Sequence, residues 1–119
     1  MHKIKLAVFI LLLGFQPVAH AESSEAVSLN NRAVRLLSAG KIDKAIGLFK
    51  FVLSQNPNYR MARENFSVAL SNKGLSLIRN GDLAAGIEML EESVKVDSTN
   101  QTTLKNLEKA KQRFAEEKS

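Results

Sequence analysis

Ala39-Gly40-Lys41-Ile42-Asp43-Lys44-Ala45-Ile46-Gly47-Leu48-Phe49 is answered 41 residues later by Asn80-Gly81-Asp82-Leu83-Ala84-Ala85-Gly86-Ile87-Glu88-Met89-Leu90. Each stretch is a glycine-centred turn followed by the start of an amphipathic helix. Self-similarity at a fixed spacing of this size marks a helical repeat array, in which one helix pair cannot bury its apolar face alone and stacks on the next. The expected fold class is all-α, and the expected function is binding rather than catalysis.

Outward from these turns, apolar periodicity and punctuation predict five helices. The first spans about Ser24–Ser38, with Val27, Leu29, Ala33, Leu36 and Leu37 at three- and four-residue steps before Gly40. The second, about Ile42–Ser54, carries Ile42, Ala45, Ile46, Phe49, Val52 and Leu53 on one stripe and stops at Asn56-Pro57-Asn58, because proline lacks the donor and clashes with the preceding turn. The third is long, about Asn58–Arg79, and Asn80-Gly81 closes it. The fourth covers about Leu83–Val96. The fifth, about Gln101–Glu116, has Leu104, Leu107 and Phe114 as its seam, with Thr99 or Asn100 to cap its start. Both glycine turns are short enough to force antiparallel neighbours.

The first 21 residues stand outside this array. Lys3 and Lys5 give a positive start, Leu6–Phe15 is an almost unbroken apolar stretch within the run counted from Ile4, and Ala19 and Ala21 supply small residues at the end, the three-part pattern of a secretory signal peptide cleaved after Ala21. The run has 12 residues, whereas a membrane span needs roughly 20, so a retained anchor is the weaker reading. No cysteine lies near the cleavage point, which excludes a lipid-anchored form. Localisation is therefore expected to be exported, periplasmic or secreted. Cleavage leaves 98 residues, one small domain, and loss of Lys3 and Lys5 lowers the net charge from +5 to +3. So mild a charge, outside the cytoplasm, makes nucleic acid a minor hypothesis.

There is no cysteine, and both histidines, His2 and His20, lie in the leader. The remaining chain thus lacks the groups for Ser-His-Asp or Cys-His catalysis and for the common zinc sites, and stability must come from helix packing alone. No enzyme activity, metal or cofactor is expected.

The same residues resemble the tetratricopeptide repeat, a 34-residue helix-turn-helix unit with the pattern W-x2-L-G-x2-Y, A-x3-F and P. In the first unit, about 26–59, Leu29, Ala33, Leu36, Ala45, Phe49 and Pro57 occupy the aromatic, small, aromatic, alanine, phenylalanine and proline slots, with Arg32 in the leucine slot. The second unit, about 60–100, keeps Leu70, Gly74, Leu77 and Leu90, with Gly86 for the alanine, Ser98 for the proline and Lys73 in the leucine slot. Leu104 and Leu107 repeat only the opening, as a capping helix over about 101–116 would. The resemblance implies a right-handed α-solenoid of antiparallel helix pairs: two repeats and a cap within residues 22–119.

A spacing of 41 instead of 34 leaves a surplus of seven residues, two helical turns, which returns side chains to nearly the same face. Residues 62–70 fit the repeat opening at the early register and Leu70–Leu77 fit it at the late one. One long third helix is therefore expected to serve both registers, with the fourth and fifth helices packed roughly 10 Å further along it than the first and second. A break near Asn72–Gly74 would defeat this prediction.

The resemblance also implies an inner, concave face built by the first helix of each pair, where a peptide or helix of a partner binds. Its positions are Val27, Asn30, Val34 and Leu37 in the first helix; Met61, Glu64, Val68, Ser71, Leu75 and Ile78 in the third; and Thr102, Lys105, Lys109 and Gln112 in the fifth. That surface is apolar in the middle and basic at its C-terminal end, which suits an acidic amphipathic partner. The apolar members equally suit packing against neighbouring helices, and the sequence leaves both readings open.

Asn31, Asn65, Asn72 and Asn106 recur before the usual leucine slot. In some members of the family this asparagine joins a clamp for a C-terminal carboxylate, but Asn30, Val34, Thr102 and Asn106 replace its other members, so structural bonding to backbone is favoured. Arg32 and Lys73 are expected to snorkel and pair with acids such as Glu25 or Glu88 rather than form an anion site. Glu88, Glu91 and Glu92 read as a solvated face, and Asp43 and Asp82 as helix-start residues. The basic fifth helix also carries Glu108, Glu116 and Glu117, which weakens a membrane-surface role.

Two functions follow: an exported module that binds a protein or peptide on its inner face, or a structural subunit whose apolar strip is covered by its own copy or by an envelope assembly. Sedimentation distinguishes them, a monomer supporting the first and a stable homo-oligomer the second.

Overall fold

The computed structural model describes residues 22–119, and the signal peptide expected over residues 1–21 lies outside them. The described chain is all-α: α1 (Ser24–Ser38), α2 (Ile42–Gln55), α3 (Arg60–Arg79), α4 (Leu83–Val96) and α5 (Gln101–Lys118). α1 and α2 form one antiparallel pair and α3 and α4 another, and α5 lies on α3 and α4. None of these helices is long and apolar enough to cross a membrane.

The duplicated turns are identical in their bonding. Gly40 and Gly81 adopt φ of 76° and 93°, a left-handed backbone that residues with a Cβ resist. The N–H of Gly40 donates to the Leu37 carbonyl and that of Lys41 to Leu36; Gly81 and Asp82 donate likewise to Ile78 and Leu77. This is the Schellman arrangement, which satisfies the last carbonyls of α1 and α3 and reverses the chain.

The helix starts divide by chemistry. Ser23, Asp82 and Asn100 accept from the backbone of Ala26, Ala85 and Thr103, so α1, α4 and α5 are side-chain capped. Thr99 does not cap α5; its hydroxyl and N–H both donate to Asp97. Asp43 caps nothing either. It pairs with Lys73 at 3.0 Å, which gives that lysine a partner different from the expected Glu25 or Glu88. α3 starts at Arg60 rather than Asn58, because Tyr59 stays extended, its N–H bonded to the Asn56 carbonyl and its ring tucked among Ala26, Val52 and Ala62.

α3 is the element on which the others stand. One side, through Phe66, Ala69 and Leu70, packs on Ala33, Ala45 and Phe49; the Phe49 and Phe66 rings meet at 6.5 Å between centroids. Full burial of a side chain such as Phe49 stabilises the fold by about 1.5–3 kcal/mol. The other side meets α4 at close range. The Ser67 hydroxyl donates to the Ser93 carbonyl at 3.0 Å, and the Ser93 hydroxyl to the Ser67 carbonyl at 2.7 Å. Two turns on, Gly74 and Gly86 face each other so closely that a Cβ on Gly74 would lie 2.8 Å from the Gly86 carbonyl oxygen.

α3 runs unbroken through Asn72–Gly74 and serves both halves, as the spacing predicts. The middle of α2 faces Phe66, while the middle of α4 falls between Ser67 and Gly74, about four residues further along, a rise of about 6 Å. This step is smaller than expected, because the paired serines and the packing of Val96 on the first core cluster hold α4 back. The helices parallel to α3 are stepped more. Asn30 of α1 lies beside Asn65, whereas Thr103, in the first turn of α5, lies beside Ser71.

Two substitutions separate the contributions at the α3–α4 crossing. Gly86→Val is expected to lower the unfolding free energy by about 2–3 kcal/mol, since its Cβ meets Ile78 and the Gly74 carbonyl. Ser67→Ala removes one donor, leaves Ser93 bonded to the residue 67 carbonyl, and is expected to cost about 1 kcal/mol. Urea denaturation of both variants provides the comparison.

Candidate binding face

α1, α3 and α5 run parallel, and the face they share is where the sequence places a partner. The stagger divides it. Beside α1 the strip is open: Val27 and Val68 are 39% and 38% exposed, and Met61 is 56% exposed. From Ser71 onward α5 covers it.

Two expected surface residues are therefore interior. Asn30 is 1% exposed; its Oδ1 accepts from the Asn65 amide at 3.3 Å, so it joins α1 to α3 instead of facing a partner. Its amide nitrogen is buried next to the Tyr59 phenol, without a well-formed hydrogen bond. Ser71 is likewise buried, accepting from the Thr103 hydroxyl at 3.2 Å. Both positions lie where a neighbouring helix crosses α3, and a short polar side chain there bonds across the crossing. Val34 and Leu37 are half-buried against the first core cluster, which favours the packing reading for this pair.

The C-terminal half forms a groove of about 250 Å³ that brings Leu75, Ile78 and Lys109 together. Leu83, Ala110, Asn106 and Arg113 complete its lining. Ile78, Leu83 and Ala110 belong to the third core cluster, so the groove is the place where that core reaches the surface. Lys109 is exposed and has no ion-pair partner among the described residues, while Arg113 holds Glu117 at 2.9 Å across one helical turn. No carboxylate lines the groove. It offers an apolar floor with one unpaired cation, Lys109, at its rim.

On α5 the expected stripe, Thr102, Lys105, Lys109 and Gln112, is turned by about one residue. The side facing α3 runs through Thr103, Asn106, Ala110 and Arg113, and Lys105 stands exposed beside it. Thr103 and Ala110, small residues two turns apart, are the sequence signal for this orientation. At the other end of α3, Glu22, Tyr59, Arg60, Met61 and Glu64 line a shallow recess of mixed charge. Arg60 and Glu64 neutralise one another at 2.8 Å.

Nothing at either end assembles a nucleophile with a base, and among the described residues no three His, Cys, Asp or Glu side chains group as a metal site. Asp97 is held below the usual carboxylate range by its hydrogen bonds from Thr99, and this explains it as a turn residue. Comparison of the chain with protein-family models and with curated proteins gives no match.

Tyr59 offers a spectroscopic handle on this end of the face, since it is the single tyrosine and the chain has no tryptophan. Burial first, and then the Glu22 carboxylate, push its phenol above the ordinary value of roughly 10, with Asn30 pulling the other way. The native state holds the proton more tightly than the unfolded chain. The stabilisation is therefore present below the unfolded value and is lost as pH rises through the native one. Phenolate absorbance is expected to rise at higher pH in the native protein than in urea, and coincident curves would contradict the burial.

Proposed function

We propose that this chain is an exported, non-enzymatic tetratricopeptide-repeat module, periplasmic or secreted, that binds a protein or peptide on its inner face. Two antiparallel pairs with identical glycine turns and a further helix packed on the second pair support the repeat reading. The observation that carries the binding reading is the groove of Leu75, Ile78, Leu83 and Ala110 rimmed by Lys109 and Arg113. An apolar floor with the unpaired Lys109 at its edge and no carboxylate in its lining selects a segment that presents an apolar side chain next to Asp or Glu. The exposed Val27, Met61 and Val68 extend apolar contact along the strip toward α1. The partner proposed is thus an acidic amphipathic peptide or helix.

Selection from a displayed peptide library tests this. Enriched peptides are expected to combine an apolar residue with neighbouring acids, and their binding is expected to weaken as salt rises. Leu75→Glu and Lys109→Glu should each reduce affinity at least about tenfold. Enrichment of peptides without acids, or binding that both substitutions leave intact, would sink the proposal.

A further inference from the structure

Gly47 is the one described glycine without an internal reason. Gly40 and Gly81 need their left-handed backbone, and Gly74 and Gly86 need their closeness, but a Cβ on Gly47 would meet nothing within 4 Å. A glycine inside a helix costs about 1 kcal/mol relative to alanine, and here the fold receives nothing in return. What the residue does provide is a notch on the outer ridge of α2. Four residues on, one turn away on the same ridge, stands Phe51, 51% exposed and the largest apolar side chain the described chain leaves in solvent.

A notch and a knob one turn apart on one helix are self-complementary. We infer that the outer face of α2 is a docking surface for a second copy of this chain, with the two α2 helices antiparallel about a two-fold axis level with Phe49. In that arrangement Phe51 of each copy lies over Gly47 of the other, and the missing side chain lets the helix backbones approach. An isologous contact repeats every interaction twice, so one knob and one notch supply both halves of the interface.

Charge supports the same orientation. Glu25, at the start of α1, lines with Phe51 and Gln55 a cleft of about 270 Å³ at the C-terminal end of α2. Lys44 lies at the opposite end of the ridge, one turn before Gly47. Glu25 and Lys44 are both exposed, and neither has an ion-pair partner among the described residues. Antiparallel pairing sets Lys44 of one copy beside the Gln55 end of the other, where Glu25 stands, and does so on both sides of the axis. The inner face remains free in this dimer, which therefore is not the homo-oligomer that covers the apolar strip, and the inference holds whether or not that face takes a peptide.

Sedimentation velocity of the purified protein from about 1 to 100 µM tests it. A monomer–dimer equilibrium is expected within this range. Phe51→Glu and Gly47→Leu should each raise the dissociation constant at least about tenfold. The leucine has open space within its own copy, so far-ultraviolet circular dichroism should show an intact helical fold. Lys44→Glu should weaken the dimer and Glu25→Lys in the same chain should restore it, since the exchange preserves the cross-axis pair. A protein that stays monomeric throughout overturns the inference, including one that instead sediments with anionic phosphatidylglycerol vesicles. A dimer indifferent to both Phe51→Glu and Gly47→Leu overturns it equally.

Discussion

The close crossing of α3 and α4 is the contact on which the rest of the fold depends. Gly74 and Gly86 bring two backbones together where any side chain would intervene, and Ser67 and Ser93 fix the register by donating to each other's carbonyls. Backbone carbonyls inside a helix are already bonded once, so each serine hydroxyl uses a remaining lone pair and neither hydroxyl is left without an acceptor. A crossing of this kind tolerates almost no sliding. It sets the height of α4, and α4 in turn presents Leu83, Ile87 and Leu90 as the floor against which Ala110 and Leu107 of α5 pack.

From that register the shape of the inner face follows. α3 is long enough to carry α1 and α2 on its first half and α4 and α5 on its second, so the parallel helices are stepped along it rather than level. Where a parallel helix docks on α3, short polar side chains bond across, Asn65 to α1 and Ser71 to α5. Beside α1 the apolar strip stays open at Val68. The groove at Leu75 and Ile78 and the exposed Val68 are two results of one offset.

The candidate binding face was legible in part. Leu75, Ile78 and Lys109 are assigned to it by sequence and lie together in the structure, because heptad spacing keeps side chains on one face of a long helix. Asn30 and Ser71 share that periodicity yet are buried, since periodicity locates a face and does not say which neighbouring helix covers it. The stripe on α5 is offset for a related reason. Its charged residues are frequent enough to fit several rotations, and only the small Thr103 and Ala110 mark the side that meets α3 and α4.

The sequence alone determined the five helices, their two glycine turns and the unbroken course of the third, because these depend on local chemistry: left-handed glycines, a proline stop, capping side chains and apolar periodicity. Tertiary structure decided what no local rule contains, namely that Ser67 pairs with Ser93, that Asp43 reaches Lys73, that Asn30 is interior, and that Gly47 alone among the described glycines inside helices has empty space beside it. Those outcomes rest on distances between residues 26 to 35 positions apart or on the lack of any neighbour, and such distances are set by how whole helices dock rather than by the residues that flank them.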